Sequence, residues 1–193
     1  PNFKMPSEFA LGSTDLEPEP EQLAEFLEEF YEQEESAHRS SSAEVERTDF
    51  VTFAGLGDPL LRTDELIRTI EIFKEVRNSV PFRVKTFGLV DPAVCQALIE
   101  AMPPADVDSN RETRLAEVSV LLPSSDPLQY AQLVEPAGNR GFNDVIGFLA
   151  NLCEAGVAVE CYTVVRPDVD VDKIKKLAES LGVIRFRSVP YFE

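Results

Sequence analysis

Asp49-Phe50-Val51-Thr52-Phe53-Ala54-Gly55-Leu56-Gly57-Asp58-Pro59-Leu60-Leu61-Arg62 is the stretch that decides how this chain is read. Phe50 to Phe53 is short, β-branched and aromatic, the composition of a buried strand. It breaks at Ala54-Gly55-Leu56-Gly57-Asp58-Pro59, and a helix is expected to open at Thr63, with Thr63 as its cap. In α/β folds a glycine-bearing turn at the C-terminal end of a strand is where ligands sit. Two glycines let a ligand approach the backbone N–H groups, and Asp58 adds a carboxylate at the rim. Together they suit a zwitterion, with N–H groups for its carboxylate and Asp58 for its ammonium. A rim carboxylate is expected to carry little of the core. The same residues also read as an ordinary strand-to-helix turn that needs glycine for a positive φ, and the pattern alone does not separate the two.

Strand and helix patterns alternate from there to the C-terminus. Strands are expected to start near residues 50, 82, 117, 157 and 183. Asp91-Pro92, Asp126-Pro127 and Asp170 are helix-start signals, and Phe142 to Ala155 and the stretch after Asp170 carry apolar stripes of helical period. Strict alternation implies a parallel sheet covered by helices. The rim formed by the strand ends then carries Gly55, Gly57 and Asp58, Thr86 and Gly88, and Ser124, Arg166 and Tyr191. No nucleophile–base pair can be named among them, so a cofactor would have to bring any chemistry.

Upstream, residues 1–48 form a separate region and 49–193 the repeating core. Pro18 to Glu35 reads as an amphipathic helix with the stripe Leu23, Phe26, Leu27, Phe30 and Tyr31, and Asp15 to Glu35 holds ten acids and no Lys or Arg. This acidic helix, 18–35, is a candidate surface for a protein partner. Ser36 to Thr48 is serine-rich and is expected to be a loop, with His38 solvated in it.

The chain has 193 residues and a net charge of −17, with a pI near 4.4 and a mean hydropathy of −0.13. Such acidity argues against nucleic acid or an anionic membrane as the main partner. No apolar run reaches transmembrane length. Cys95, Cys153 and Cys161 form no CxxC pair, which argues against a zinc site and fits a reducing compartment, taken as the cytoplasm. Cys153 and Cys161 are expected in the core.

Several of these motifs, in their order and spacing, resemble the radical SAM superfamily, in particular its TatD-associated branch. Phe53-Ala54-Gly55-Leu56-Gly57-Asp58-Pro59 is similar to the family's strand-2 glycine motif, with Asp58 in the place of a glutamate. Val84-Lys85-Thr86-Phe87-Gly88-Leu89 is similar to its strand-3 TNGL signature, with Phe87 for the asparagine. Val118 to Leu122, with Asp126-Pro127 and Tyr130, is similar to its strand-4 region, and Thr163-Val164-Val165 with the Asp170 helix also matches. The resemblance covers residues 49 to 193. It implies a partial (βα)6 TIM-like barrel of parallel strands whose first strand lies upstream of Pro1. It implies S-adenosylmethionine (SAM) as cofactor, its methionyl amino group held by Gly55, Gly57 and Asp58, with Thr86 on the neighbouring strand end.

The family also holds a [4Fe-4S] cluster through CxxxCxxC, because soft thiolates bind iron and set its potential. Here Pro1, Met5 and Glu8 stand at the three cysteine places. The motif is therefore degenerate in this chain, or the true motif lies further upstream. Leu121 stands where the family often has a serine contacting SAM. Three readings stay open: a SAM-binding domain without a cluster, a fragment of a working radical SAM enzyme, and an α/β interaction module without catalysis.

Overall fold

The computed structural model describes residues 18–40, 51–54, 57–78, 80–102, 116–136 and 138–191. Gly55, the positions Pro1, Met5 and Glu8, the serine-rich stretch from residue 41, and the polar connection 103–114 lie outside them.

Five strands form one parallel sheet in sequential order: β1 (Val51–Phe53), β2 (Phe82–Thr86), β3 (Ala116–Leu121), β4 (Val159–Val165) and β5 (Arg185–Pro190). Helices α2 (Thr63–Val76), α3 (Pro92–Ala101), α4 (Pro127–Val134), α5 (Phe142–Glu154) and α6 (Val171–Ser180) fill the crossovers, and α1 (Pro20–Ser40) precedes β1. Parallel neighbours cannot be joined by a hairpin, so each needs such a helix. The α/β reading and its five-stranded parallel sheet hold, and the order is that of a partial TIM-like barrel.

Alternation along the strands separates two faces. Phe82 and Val84, Val118 and Val120, and Val159 and Cys161 are in register with one another and join one core cluster with Leu66 and Ile70 of α2, Leu98 of α3, Leu149 and Leu152 of α5, and Ile174 of α6. This is the helix-covered face. The intervening residues, Arg83, Lys85, Glu117, Ser119, Glu160, Tyr162, Arg185 and Arg187, are polar or charged and share the other face. A sheet buried on both sides would read as near-continuous apolar runs. Here the alternation marks a second, polar face, on which Glu117, Ser119 and Glu160 are nevertheless buried.

Several local expectations need correction. Helix α1 runs on to Ser40, so the serine-rich stretch begins inside a helix. Its buried side is Ala24 and Tyr31, with Leu27 partly covered, against Phe73 of α2, while Phe26 and Phe30 are exposed. The cap preceding α2 is not Thr63. Pro59–Arg62 forms a short 3-10 turn capped by Asp58, and the Thr63 hydroxyl donates back to the Leu60 carbonyl at 2.7 Å. Asp126 and Asp170 cap α4 and α6 as expected, accepting from the Gln129 and Lys173 backbone N–H groups. Asp91 precedes α3, but its carboxylate pairs with Arg140 instead.

Candidate functional site

The rim turn is built around Asp58. Its Oδ1 accepts the Leu60 N–H at 3.0 Å and starts the 3-10 turn. Its Oδ2 accepts the Thr86 hydroxyl and the Phe87 N–H, each at 2.7 Å. One carboxylate thus ties the turn after β1 to the end of β2. Charge-assisted bonds of this kind are about twice as strong as neutral ones, so Asp58 carries more of the fold than a rim carboxylate was expected to. A carboxylate offers about four lone-pair sites, and three are used. The one left, on Oδ1, is available to an ammonium.

Thr86 is brought to Asp58, as the sequence implied, but it does not face a ligand. Its side chain is buried with the helix-side residues of β2, and its hydroxyl donates to Asp58 and accepts the Gly88 N–H at 2.9 Å. Thr86 therefore positions the carboxylate. Gly88 holds a positive φ of 70°, and a Cβ there would meet the Phe148 ring at 2.7 Å. Gly88→Ala is expected to cost about 2–3 kcal/mol, from left-handed backbone strain and overpacking together, read as a lower urea midpoint at unchanged slope.

Gly57 behaves differently. It is exposed, its φ is not positive, and nothing lies within 4 Å of the place a Cβ would take. The turn does not need glycine there for its conformation. What glycine leaves at that point is open space over the backbone, beside the Asp58 carboxylate.

The remaining rim candidates do not gather there. The Ser124 hydroxyl is spent on Gln129 and the Asp126 N–H, ordering its own loop. Arg166 pairs with Asp168 at 3.1 Å and lies over the Tyr191 ring. Phe87, at the asparagine place, is 41% exposed at the rim.

Below the rim, the non-helical face of the sheet carries a charge network that the sequence reading did not single out. Glu117 and Glu160 are 0% and 1% exposed. Arg83 donates to Glu117 at 2.7 Å, and Arg185 donates to both Glu117 oxygens at 2.8 and 3.0 Å while reaching Glu160 at 2.5 Å. Ser119 donates to Glu160 at 2.8 Å, and Arg187 approaches it at 3.3 Å. Burial pulls the Glu160 carboxyl upward, but the Ser119 hydroxyl and the Arg185, Arg187 and Arg83 charges outweigh it, and the group titrates below its ordinary value. The sequence signal is a mostly polar or charged residue at alternate positions of β2 to β5, which by itself looks like the solvated half of an ordinary strand.

The cysteines do not fit an iron–sulfur cluster. Cys95 and Cys161 are buried, Cys153 is partly so, and they lie on α3, β4 and α5. Burial pushes all three thiols up, Cys161 to about 12, away from the thiolate a metal requires. Among the described residues no three His, Cys, Asp or Glu side chains are grouped to hold a metal ion. Among them, too, no helix is long and apolar enough to cross a membrane.

No protein-family model and no curated protein matches the chain. Among solved structures it is similar to crystal structures of Streptococcus suis SuiB. The SuiB structure and its complex with S-adenosylmethionine each align with a TM-score of 0.52 at 15% identity, covering 75% of this chain and 30% of SuiB. A third, bound to the precursor peptide SuiA, aligns with the same TM-score at 14% identity, covering 75% of this chain and 29% of SuiB. At this identity the likeness concerns the fold alone. This chain spans less than a third of SuiB.

Proposed function

We propose that this chain is a radical-SAM-like domain of the TatD-associated kind, which binds S-adenosylmethionine at the strand C-terminal rim. The observation that carries the reading is the pairing of open backbone at Gly57 with a fixed Asp58 carboxylate that keeps one lone-pair site unspent. Asp58 is held from both sides, so it meets an ammonium without first being ordered, which lowers the cost of binding. Gly55, outside the described residues, is assigned to the motif by the sequence resemblance alone, and Thr86 sets the carboxylate's position. SAM binding by a SuiB structure of related fold supports the same assignment. Bound SAM supplies a sulfonium and an adenosyl group. The chain's own residues bind and orient its amino-acid end.

The test uses Gly57→Val. With no positive φ and no neighbour within 4 Å, this substitution is expected to leave the thermal midpoint within about 2 °C of wild type. It fills the space that the ligand needs. SAM at a hundred times its dissociation constant is expected to add about 2.7 kcal/mol to wild-type stability, and the variant is expected to lose at least about ten-fold in affinity. Equal stabilisation of the two proteins by SAM contradicts the site.

The described cysteines lead us to read the domain as one that binds SAM without holding a cluster through them. Iron and sulfide analysis after anaerobic reconstitution separates this from the working-enzyme reading. About four irons per chain favours the enzyme, and none favours the cluster-free domain.

A further inference from the structure

The non-helical sheet face holds more positive charge than its carboxylates use. Among its described residues four cations, Arg83, Lys85, Arg185 and Arg187, face two carboxylates, Glu117 and Glu160. The chain as a whole carries −17, so a local positive excess here is not an average property of the surface.

The excess is located at Lys85 and Arg187. Arg185 already bridges both carboxylates. Arg187 keeps only the longer contact to Glu160, at 3.3 Å, with its side chain 45% exposed. A guanidinium has five N–H donors in a planar fork, and most of those on Arg187 are unspent. Lys85 has no carboxylate within ion-pair distance among the described residues, and its ammonium lies 4.7 Å from the centre of the Tyr162 ring. The Arg187 guanidinium lies 5.6 Å from the centre of the same ring. Cation–π contact holds both groups in place without neutralising either. The Tyr162 hydroxyl has no protein partner among the described residues. Burial pushes the phenol up, Arg187 pulls against it, and the Glu160 and Asp58 carboxylates add to the rise, so at neutral pH it is a protonated donor.

We infer that Lys85, Tyr162 and Arg187 form a binding site for the oxyanion group, phosphate or carboxylate, of a small ligand distinct from SAM. Arg187 supplies a planar fork, Lys85 a point charge and Tyr162 a neutral hydroxyl, a set that recognises an oxyanion by charge and by direction. Arg83, Arg185, Glu117 and Glu160 form the floor and hold the strands in register. The site stands on β2, β4 and β5 and does not depend on SAM occupying the turn after β1. Its place on the sheet face below that rim makes it a candidate substrate subsite.

The experiment is a titration of the full chain, followed by 1H–15N correlation spectra, with inorganic pyrophosphate and separately with succinate at matched ionic strength. Saturable shifts centred on Lys85, Tyr162 and Arg187 are expected. Tighter pyrophosphate binding assigns a phosphate-bearing ligand, and tighter succinate binding a carboxylate-bearing one. Lys85→Met, which breaks no ion pair among the described residues, is expected to weaken binding at least about ten-fold while the spectrum stays dispersed. Arg187→Lys keeps the charge and loses the fork, and an intermediate loss is expected. Shifts that never saturate, or an affinity unchanged in Lys85→Met, overturn the site. Competitive displacement of the anion by SAM overturns it as well, because these cations would then hold the SAM carboxylate. Loss of SAM stabilisation in Gly57→Val with anion binding intact keeps the two claims apart.

Discussion

Glu117→Leu is expected to destabilise the chain by about 3–5 kcal/mol, the range for removing one partner of a buried ion pair. Glu117 is wholly buried and accepts from Arg83 and from Arg185. Its removal takes an acceptor from two guanidinium groups that are 18% and 26% exposed, of which Arg185 keeps Glu160. The larger cost comes from the buried positive charge left less compensated rather than from the lost attraction, since removing charge from both sides of a buried pair is often neutral. A double variant, Glu117→Leu with Arg83→Met, is therefore expected to recover part of the loss. Urea denaturation of the three proteins checks this, and a single-variant loss below about 1 kcal/mol, the level of an exposed pair, contradicts it. Glu160 adds a pH dependence. Its folded pKa lies below the ordinary 4.5. Its contribution is full above the unfolded value and is lost as pH falls through the folded one. Glu160→Gln is expected to flatten stability against pH only on that acid side.

Asp58→Ala is expected to cost about 2–4 kcal/mol and to remove measurable SAM binding. Hydrogen bonds to a charged acceptor contribute about 1.5–3 kcal/mol each and do not add. The substitution releases the Leu60 and Phe87 N–H groups and the buried Thr86 hydroxyl together. Asp58→Asn retains one acceptor oxygen for Leu60 but presents N–H donors where Thr86 and Phe87 donate, so an intermediate loss is expected. Chemical denaturation and SAM titration of both variants check the pair of effects. A stability equal to wild type contradicts the structural part, and retained SAM affinity contradicts the ligand part. Because the two losses arise together in Asp58→Ala, Gly57→Val is the variant that isolates binding.

The fold was legible where local signals agree with one another. Asp126 before Pro127 and Asp170 before α6 read as caps and act as caps, Asp170 through Oδ1 while its Oδ2 pairs with the Lys173 ammonium of the same first turn. Asp91 has the same sequence signature, but Arg140, some fifty residues away in the chain, takes its carboxylate, and no local pattern carries that information. Thr63 looked like a cap because the 3-10 turn before it has no periodicity of its own. Helix α1 continues past Glu35 to Ser40 although serine is a common loop residue. A Ser36 hydroxyl donating to the Glu32 carbonyl shows how the helix accommodates it.

The candidate site was legible in part. Glycine and an aspartate at a strand end point to a rim, and Asp58 and Thr86 do meet there. The division of labour between them was not readable, because it depends on Thr86 facing the helices and Gly57 facing open space. The charged face was hidden for a related reason. Arg83 and Lys85, or Arg185 and Arg187, look like the solvated side of ordinary strands until parallel register sets Glu117 and Glu160 between them.

The rim beside Gly57 and Asp58 is proposed to receive the amino-acid end of S-adenosylmethionine. Calorimetric titration of the full chain with SAM, beside methylthioadenosine, tests it most directly, because the second compound keeps the adenosine and sulfur but lacks the ammonium and carboxylate. One saturable SAM site per chain is expected, with an affinity for methylthioadenosine at least about ten-fold weaker, a loss of about 1.4 kcal/mol or more. No saturable heat with SAM, or equal affinity for the two compounds, contradicts it.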